Sequence, residues 1–341
     1  MGKTKRQLNI EILRIISMIL VLVIHYNVGV NGDTSHEMVM NEPWKAVGVA
    51  SLKSLSFVCV NCFILISGFF GIRWKWEGLF SYLFQISFWG GMVHLLACLV
   101  GLTSFSPFHM LDNMVLFLYN GNWFFIAYLG LYMFAPVLNA FIEKVSEREL
   151  GIMVLVFYLM QTIFGWILKR CVEFNQGLTF VSFIGLYMLG AYIRKSNGKW
   201  FQWKALPNLS MYLGVGVLCV LISMFANYVG FSKDIYSYIS PLQIIQSVYL
   251  FLFCKALRVS KGEKVILFFS SSAFACLLMH SWDGVQLYGG GLHWIDSNVP
   301  MPFFLTMVYM FIFFMLACLL DKIRIWVWNK LSINLFAKEG K

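Results

Sequence analysis

Charged residues are scarce in this 341-residue chain. Asp, Glu, Lys and Arg together make up 12% of it, whereas hydrophobic residues make up 60% and aromatic residues 18%. Globular proteins average about 25% charged residues. The mean hydropathy is +0.74. Since a soluble domain has no means of covering so much apolar surface, the composition excludes a soluble globular protein and predicts an all-α integral membrane protein.

The chain also lacks the motifs of several enzyme classes. It contains no G-x-S-x-G, H-E-x-x-H, P-loop or Rossmann glycine pattern, which argues against a hydrolase elbow, a metalloprotease, an ATPase and a nucleotide dehydrogenase. Cys59 and Cys62 form a C-x-x-C inside an apolar run, without the second pair that a zinc site needs. We therefore expect buried thiols, and we predict no metal.

Apolar runs long enough to cross a bilayer recur throughout the chain. About 20 residues are needed for a crossing. Ten candidate spans follow from this criterion, at about 9–30, 46–70, 79–102, 122–142, 150–168, 178–193, 207–229, 241–257, 265–283 and 302–320. Segment 107–120 is too short and predicts an interfacial or re-entrant helix on the outer side. Without repeats, low-complexity tracts or long loops, residues 1–341 are predicted to form a single membrane domain with no fused soluble domain.

The basic residues are distributed unevenly over the loops between these spans. With the N-terminus inside, 20 of the 26 Lys and Arg residues fall on the cytoplasmic side and 5 on the outer side, with Arg14 inside the first span. Cytoplasmic loops of membrane proteins carry such an excess. The bias predicts about ten spans with both termini cytoplasmic. It also explains the net charge of +10 by topology and contact with anionic lipids, so we expect no nucleic acid partner.

The first span carries three ionisable side chains, which are costly in lipid and are usually functional there. At 100° per residue, Arg14 and His25 lie about 20° apart on one helix face, and about 16 Å apart along its axis. Glu11 lies within about 60° of both. We expect Arg14 and His25 to border one shared cavity at two depths.

Two interpretations of this face remain open on spacing alone. An elongated ligand with a phosphate-bearing head, such as acyl-CoA, would place its phosphates at Arg14 and its thioester near the imidazole of His25, a potential general base. Alternatively, Glu11 and Arg14 form an anchoring ion pair, Arg14 extends toward the interface, and His25 only hydrogen-bonds a neighbouring helix.

Five segments, taken in order, resemble the acyltransferase type 3 family. The first, "NIEILRIISMILVLVIHY" (9–26), has the Arg, ten residues and His of that family's first helix, and Glu11 fills its usual acidic position. The other segments are "CFILISGFFG" (62–71), "NWFFIAYLGLYMFAPVL" (122–138), "FIGLYMLGAYIRK" (183–195) and, in outline only, "SSSAFACLLMH" (270–280).

The resemblance implies a multi-span enzyme that acylates cell-surface polysaccharides or related acceptors, with acyl-CoA as donor. It implies that Arg14 and His25 are essential. In our model, Arg14 binds the phosphates of the donor, His25 is the general base and Glu11 orients Arg14. Basic residues after the second helix also contribute in the family, which makes Arg73 a donor-binding candidate. However, the family's Arg before a Pro at the start of helix 3 is missing from "KWEGLFSYLFQISFW".

Four residues are candidates for acceptor binding. Trp123 and Asn122 open a helix from the outer side, where Trp123 stacks on a sugar ring or simply joins the interfacial aromatic belt. Tyr128 is polar at membrane depth, and His280 lies at a depth similar to that of His25. His280 and Asp283 form an H-x-x-D pattern, which is repeated at His293 and Asp296. A metal cluster would explain this pattern, but we prefer to interpret residues 283–300 as a polar, glycine-rich outer loop. The role of Lys53, inside the second span, is left open.

The sequence therefore predicts a multi-pass O-acyltransferase of a bacterial cytoplasmic membrane. Its expected donor is acetyl-CoA, and its expected acceptor is a cell-surface polysaccharide or lipid-linked saccharide. A transporter and a non-catalytic membrane sensor are the alternatives, since intramembrane charges suit them as well. The acceptor sugar, the acyl group and the oligomeric state are left open.

Overall fold

The computed structural model describes residues 6–115, 123–231, 235–300 and 302–336, and every regular element among them is helical. The α-helices, in chain order, are α1 Leu8–Tyr26, α2 His36–Asn41, α3 Pro43–Ser56, α4 Cys59–Phe70, α5 Trp76–Leu99, α6 Pro107–Val115, α7 Trp123–Lys144, α8 Glu147–Met160, α9 Phe180–Lys195, α10 Ala205–Tyr228, α11 Pro241–Ala256, α12 Glu263–Ser270, α13 Ala273–Met279, α14 Gly284–Asn298 and α15 Phe303–Phe336. Helices α1 and α8 continue as π-helices over Asn27–Asn31 and Gln161–Ile167.

The helices confirm an all-α membrane protein. Among the described residues, seven helical segments are long and apolar enough to cross a bilayer, or eight if α12–α14, which bend by 88°, count as one span. The seven are Leu8–Asn31, Pro43–Phe70, Trp76–Leu99, Trp123–Lys144, Glu147–Ile167, Ala205–Tyr228 and Phe303–Ile333. Each of the ten predicted runs coincides with helix, but α9 and α11 have only 16 residues each. The count of ten and the cytoplasmic termini therefore stay predictions.

Local sequence signals mark several helix ends. Pro43 and Pro241 open α3 and α11 at the first turn, where a missing N–H costs nothing. Ser146 caps α8 in a reciprocal capping box with Glu149. The predicted short helix within 107–120 is present as α6, with its described part ending at Val115.

The predicted glycine-rich loop over 283–300 is wrong, because the segment forms helix α14. Its apolar residues Tyr288, Leu292 and Ile295 are buried at helical spacing. Burial of this stripe outweighs the low helix propensity of the glycines. At Gly291 a side chain would meet the Tyr309 hydroxyl at 2.4 Å, so glycine there serves close helix packing.

The chain divides into two compact units. Unit 1 comprises Met1–Ile72 and Ala127–Ile266, and unit 2 comprises Arg73–Ile126 and Leu267–Lys341. Both units are built from membrane helices, so the prediction of a single membrane domain is neither confirmed nor contradicted by the division.

Glycines set the helix packing inside unit 1. A Cβ at Gly68 would lie 2.1 Å from the Tyr187 carbonyl oxygen, and one at Gly190 would lie 2.4 Å from that of Leu65. Helices α4 and α9 therefore approach backbone to backbone, as small residues permit in membranes. Cys59 and Cys62, also on α4, are fully buried free thiols, as expected.

Candidate active site

The candidate site in unit 1 is one face of α1. The helix is continuous from Leu8 to Tyr26, so Arg14 and His25 lie on one rigid element, with the predicted rotation of about 20° and rise of about 16 Å. The expectation that both side chains share one helix face is therefore consistent with the observed secondary structure.

Arg14 and Glu11 form the predicted i,i+3 ion pair. Arg14 Nη1 lies 3.1 Å from Glu11 Oε2 and 3.4 Å from Oε1. Glu11 is buried, whereas the Arg14 side chain keeps 31% of its surface exposed. A buried carboxylate that pairs with one guanidinium nitrogen leaves N–H groups of the other nitrogens for an anionic ligand.

His25 lies near the other end of α1 and is exposed, between the buried residues Ile24 and Tyr26. The helix changes to π-geometry two residues later, at Asn27, and π-turns occur frequently at functional sites. The buried Asn27 side chain donates to the Val49 carbonyl of α3 at 3.1 Å and accepts from Asn31 at 3.2 Å. These bonds fix the end of the helix that carries His25.

The face between Arg14 and His25 is packed. Met18 is 1% exposed and Val21 is 4% exposed, although both lie on the same side of the helix. Apolar side chains thus occupy the helix face between Arg14 and His25, and the expectation of one cavity shared by the two side chains stays a prediction. Helical spacing fixes directions around an axis, but it carries no information on how neighbouring side chains fill the space.

A hydrogen-bonded network in unit 1 joins Tyr187, which lies in one resemblance segment, to Ile72 and Asn139, which directly follow two others. Tyr187 donates to Asn139 Oδ1 at 2.6 Å and accepts from the Ile72 N–H at 2.8 Å, and Asn139 donates to the Ile72 carbonyl at 2.8 Å. Gly71 has a φ of 77°, a conformation that favours glycine. The network fixes the turn that follows α4. Sequence reasoning missed Tyr187 and Asn139, although both lie in or beside the quoted segments.

Two other polar residues of unit 1 contact neighbouring side chains. The Tyr128 hydroxyl lies 3.5 Å from the Ser67 hydroxyl. Lys53 is buried, pairs with Asp33 and lies 5.4 Å from the centre of the Tyr236 ring. Lys53 therefore has a structural partner, and Tyr128 remains a candidate for acceptor binding.

The other predicted residues belong to unit 2. Arg73 is exposed, and Trp123 is half-buried with its ring edge-on to Phe124. His280 is buried, hydrogen-bonds the Cys276 carbonyl through Nδ1 and packs against Tyr288. Asn122 lies outside the described residues. The roles proposed for these residues stay predictions.

The family of the chain follows from comparison with known proteins. A family model described as an acyltransferase domain, that of acyltransferase type 3 proteins, matches residues 7–322. The chain belongs to the acyltransferase type 3 family. No curated protein and no solved structure matches the chain. The protein is thus a membrane acyltransferase, and the matched region contains both α1 and the Tyr187 network.

Proposed function

We propose that this acyltransferase moves an acetyl group from acetyl-CoA to a hydroxyl of a bacterial cell-surface polysaccharide or lipid-linked saccharide. The observation that supports the proposal is the placement of a half-exposed, carboxylate-held guanidinium and an exposed imidazole along one helix of a family member. The bacterial cytoplasmic membrane is the proposed location.

In this proposal, Arg14 binds the phosphates of the donor. A guanidinium stays charged at working pH and can bind oxyanions through two parallel hydrogen bonds. Glu11 holds the Arg14 side chain in place, so less rotamer freedom is lost when the donor binds. Arg73, an exposed cation, is a second donor-binding candidate.

His25 acts as general base in the transfer itself. Its neutral ring accepts the acceptor's hydroxyl proton while the hydroxyl oxygen attacks the thioester carbonyl. The carbon–sulfur bond then breaks, CoA leaves as a thiol after taking the proton, and the acyl group stays on oxygen as an ester. Met18 and Val21 are buried between Arg14 and His25 along α1. We therefore propose that their side chains shift when the long, narrow part of acetyl-CoA passes from Arg14 to His25. Methionine is suited to such a shift because its side chain is unbranched.

The acceptor side of the proposal uses Trp123, Tyr128, Asn122 and His280. An aromatic ring offers a flat apolar surface to a sugar, and a hydroxyl or imidazole can hydrogen-bond its polar edge. The buried position of His280 makes it a positioning residue in this proposal.

The test is acyl transfer by the purified protein in detergent. We expect release of free CoA from acetyl-CoA only when a glycan acceptor is present, together with one added acetyl mass on that glycan. Mass spectrometry of surface glycans from a deletion strain should show the matching loss. Purified protein that moves a solute without consuming acetyl-CoA would instead favour a transporter, and unchanged glycans after deletion would favour a sensor.

A further inference from the structure

Unit 2 contains a cluster of two histidines and one aspartate that the proposed transfer does not use. His94 Nδ1 lies 2.8 Å from Asp283 Oδ2, and His109 Nε2 lies 3.1 Å from Asp283 Oδ1. All three ligand-type atoms lie within 4.8 Å of one another. The residues come from α5, from α6 and from the break before α14, so the cluster is not a consequence of local helix spacing.

Glycines permit this convergence. A Cβ at Gly90 would lie 2.2 Å from the Asn113 carbonyl oxygen, which shows how closely α6 packs against α5. A Cβ at Gly284 would lie 1.8 Å from the Met279 carbonyl oxygen. The chain therefore folds tightly back at the residue that follows Asp283, and both close approaches depend on the absence of a side chain.

The three side chains differ in accessibility. His94 is fully buried, Asp283 has 16% of its side chain exposed and His109 has 46% exposed. The cluster thus has a rigid inner end and an outer end that a solute can reach. Asn113 donates to Asp283 Oδ2 at 3.3 Å, which supplies the kind of outer-shell contact that orients a carboxylate ligand.

We propose that His94, His109 and Asp283 bind a divalent first-row transition metal, with zinc as the representative ion. Two imidazoles and one carboxylate form a common protein ligand set for such ions, and a solvent molecule completes the fourth position. In a tetrahedral zinc site, ligand atoms lie about 3.3 Å apart. His94 and His109 contact different oxygens of Asp283, at 2.8 and 3.1 Å, and the three candidate ligand atoms all lie within 4.8 Å of one another. Metal binding therefore requires side-chain rotations that bring these atoms to the tetrahedral spacing.

Metal binding would change the hydrogen bonds of His94. The Ser106 N–H points to His94 Nε2 at 3.3 Å, which places the proton on Nδ1 while no metal is bound. Ligation through Nδ1 moves this proton to Nε2, and the Nε2–H group can then donate a hydrogen bond to Cys98 Sγ, at 3.7 Å. The long Ser106 bond is then released. The proposal is independent of acetyl transfer, because it concerns binding alone.

The test is Co²⁺ titration of the purified full chain without a polyhistidine tag, after treatment with a chelator. We expect one Co²⁺ per chain, a visible d–d absorption band of low-coordinate cobalt, and displacement by Zn²⁺. His109→Gln should weaken Co²⁺ binding by about tenfold or more. His109 is accessible at the surface, so this variant should fold, which size-exclusion chromatography checks.

His293→Gln is the matched control, since His293 is an exposed histidine of the same unit on α14. It should bind Co²⁺ like the wild type. Asn113→Ala, which removes only the outer-shell contact, should weaken binding less than His109→Gln. Equal Co²⁺ affinity in the wild type and in His109→Gln, or no band in either, would overturn the proposal and leave a purely hydrogen-bonded cluster.

Discussion

The polar residues of unit 1 and those of unit 2 are organised in different ways. On α1, Glu11, Arg14 and His25 follow one another along a single helix, with packed apolar side chains between the two ends. In unit 2, His94, His109 and Asp283 come from three separate segments and meet at one point. An extended row of groups suits a long ligand, whereas a convergent cluster suits a single atom.

In both units, glycines bring helices close together. In unit 1, Gly68 and Gly190 allow α4 and α9 to touch through their backbones, and in unit 2 Gly90 does the same for α5 and α6. A substitution at such a glycine should therefore affect a whole unit, while a substitution on α1 should affect one function.

The largest effect is expected for Gly190→Leu. Its Cβ would lie 2.4 Å from the Leu65 carbonyl oxygen, and because that neighbour is backbone, the two helices must separate. Overpacking of this kind costs about 1–3 kcal/mol or more. We expect loss of monodisperse protein in fluorescence-detected size-exclusion chromatography, and with it loss of all activity.

Gly214→Leu provides the matched control, because a side chain at this exposed α10 position meets nothing within 4 Å. This variant should elute like the wild type. If Gly190→Leu also eluted normally and kept its activity, the close approach of α4 and α9 would not be needed for folding.

A smaller effect is expected for Arg14→Gln, which should impair donor binding. A hydrogen bond to a charged group contributes about 1.5–3 kcal/mol, so the KM for acetyl-CoA should rise by about 10- to 100-fold. Arg14→Lys should recover only part of this loss, since lysine lacks the planar fork. An unchanged KM in steady-state CoA-release assays would remove Arg14 from the donor site.

The smallest effect is expected for Glu11→Gln. The glutamine keeps a hydrogen-bond acceptor near Arg14 but loses the charge, and partly exposed ion pairs contribute about 0.2–1 kcal/mol. The KM for acetyl-CoA should rise by no more than about fivefold. Adding Glu11→Gln to Arg14→Gln should have no further effect on KM, because Glu11 is proposed to act through Arg14. Additive effects in this double-mutant cycle would contradict that role.

The comparison also shows which features a sequence can disclose. Helix positions and the Glu11–Arg14 pair follow from local spacing, so both were predicted. The burial of Met18 and Val21 depends on the side chains of other helices that pack against α1. The spacing of residues along α1 therefore does not predict it. The histidine cluster was missed because residues 94, 109 and 283 are far apart in sequence. Sequence analysis did single out Asp283, but paired it with His280 rather than with His94 and His109.

Helix α14 illustrates a different limit. Three consecutive glycines, Gly289 to Gly291, predicted a loop because glycine is a poor helix former. The apolar stripe beside them packs into unit 2 and stabilises a helix. Composition alone predicted a loop where the structure has a helix, because burial of the apolar stripe outweighs the low helix propensity of the glycines.

The central claim is that His25 performs the proton transfer in acetyl transfer, and single-turnover kinetics of His25→Gln tests it most directly. A general base contributes about 10²- to 10⁴-fold to the rate, so the transfer rate at saturating acetyl-CoA should fall by that factor while donor affinity stays the same. His36→Gln, at an exposed histidine of the same unit, should retain the wild-type rate. A His25→Gln protein that folds, binds acetyl-CoA and transfers the acetyl group at the wild-type rate would contradict the account.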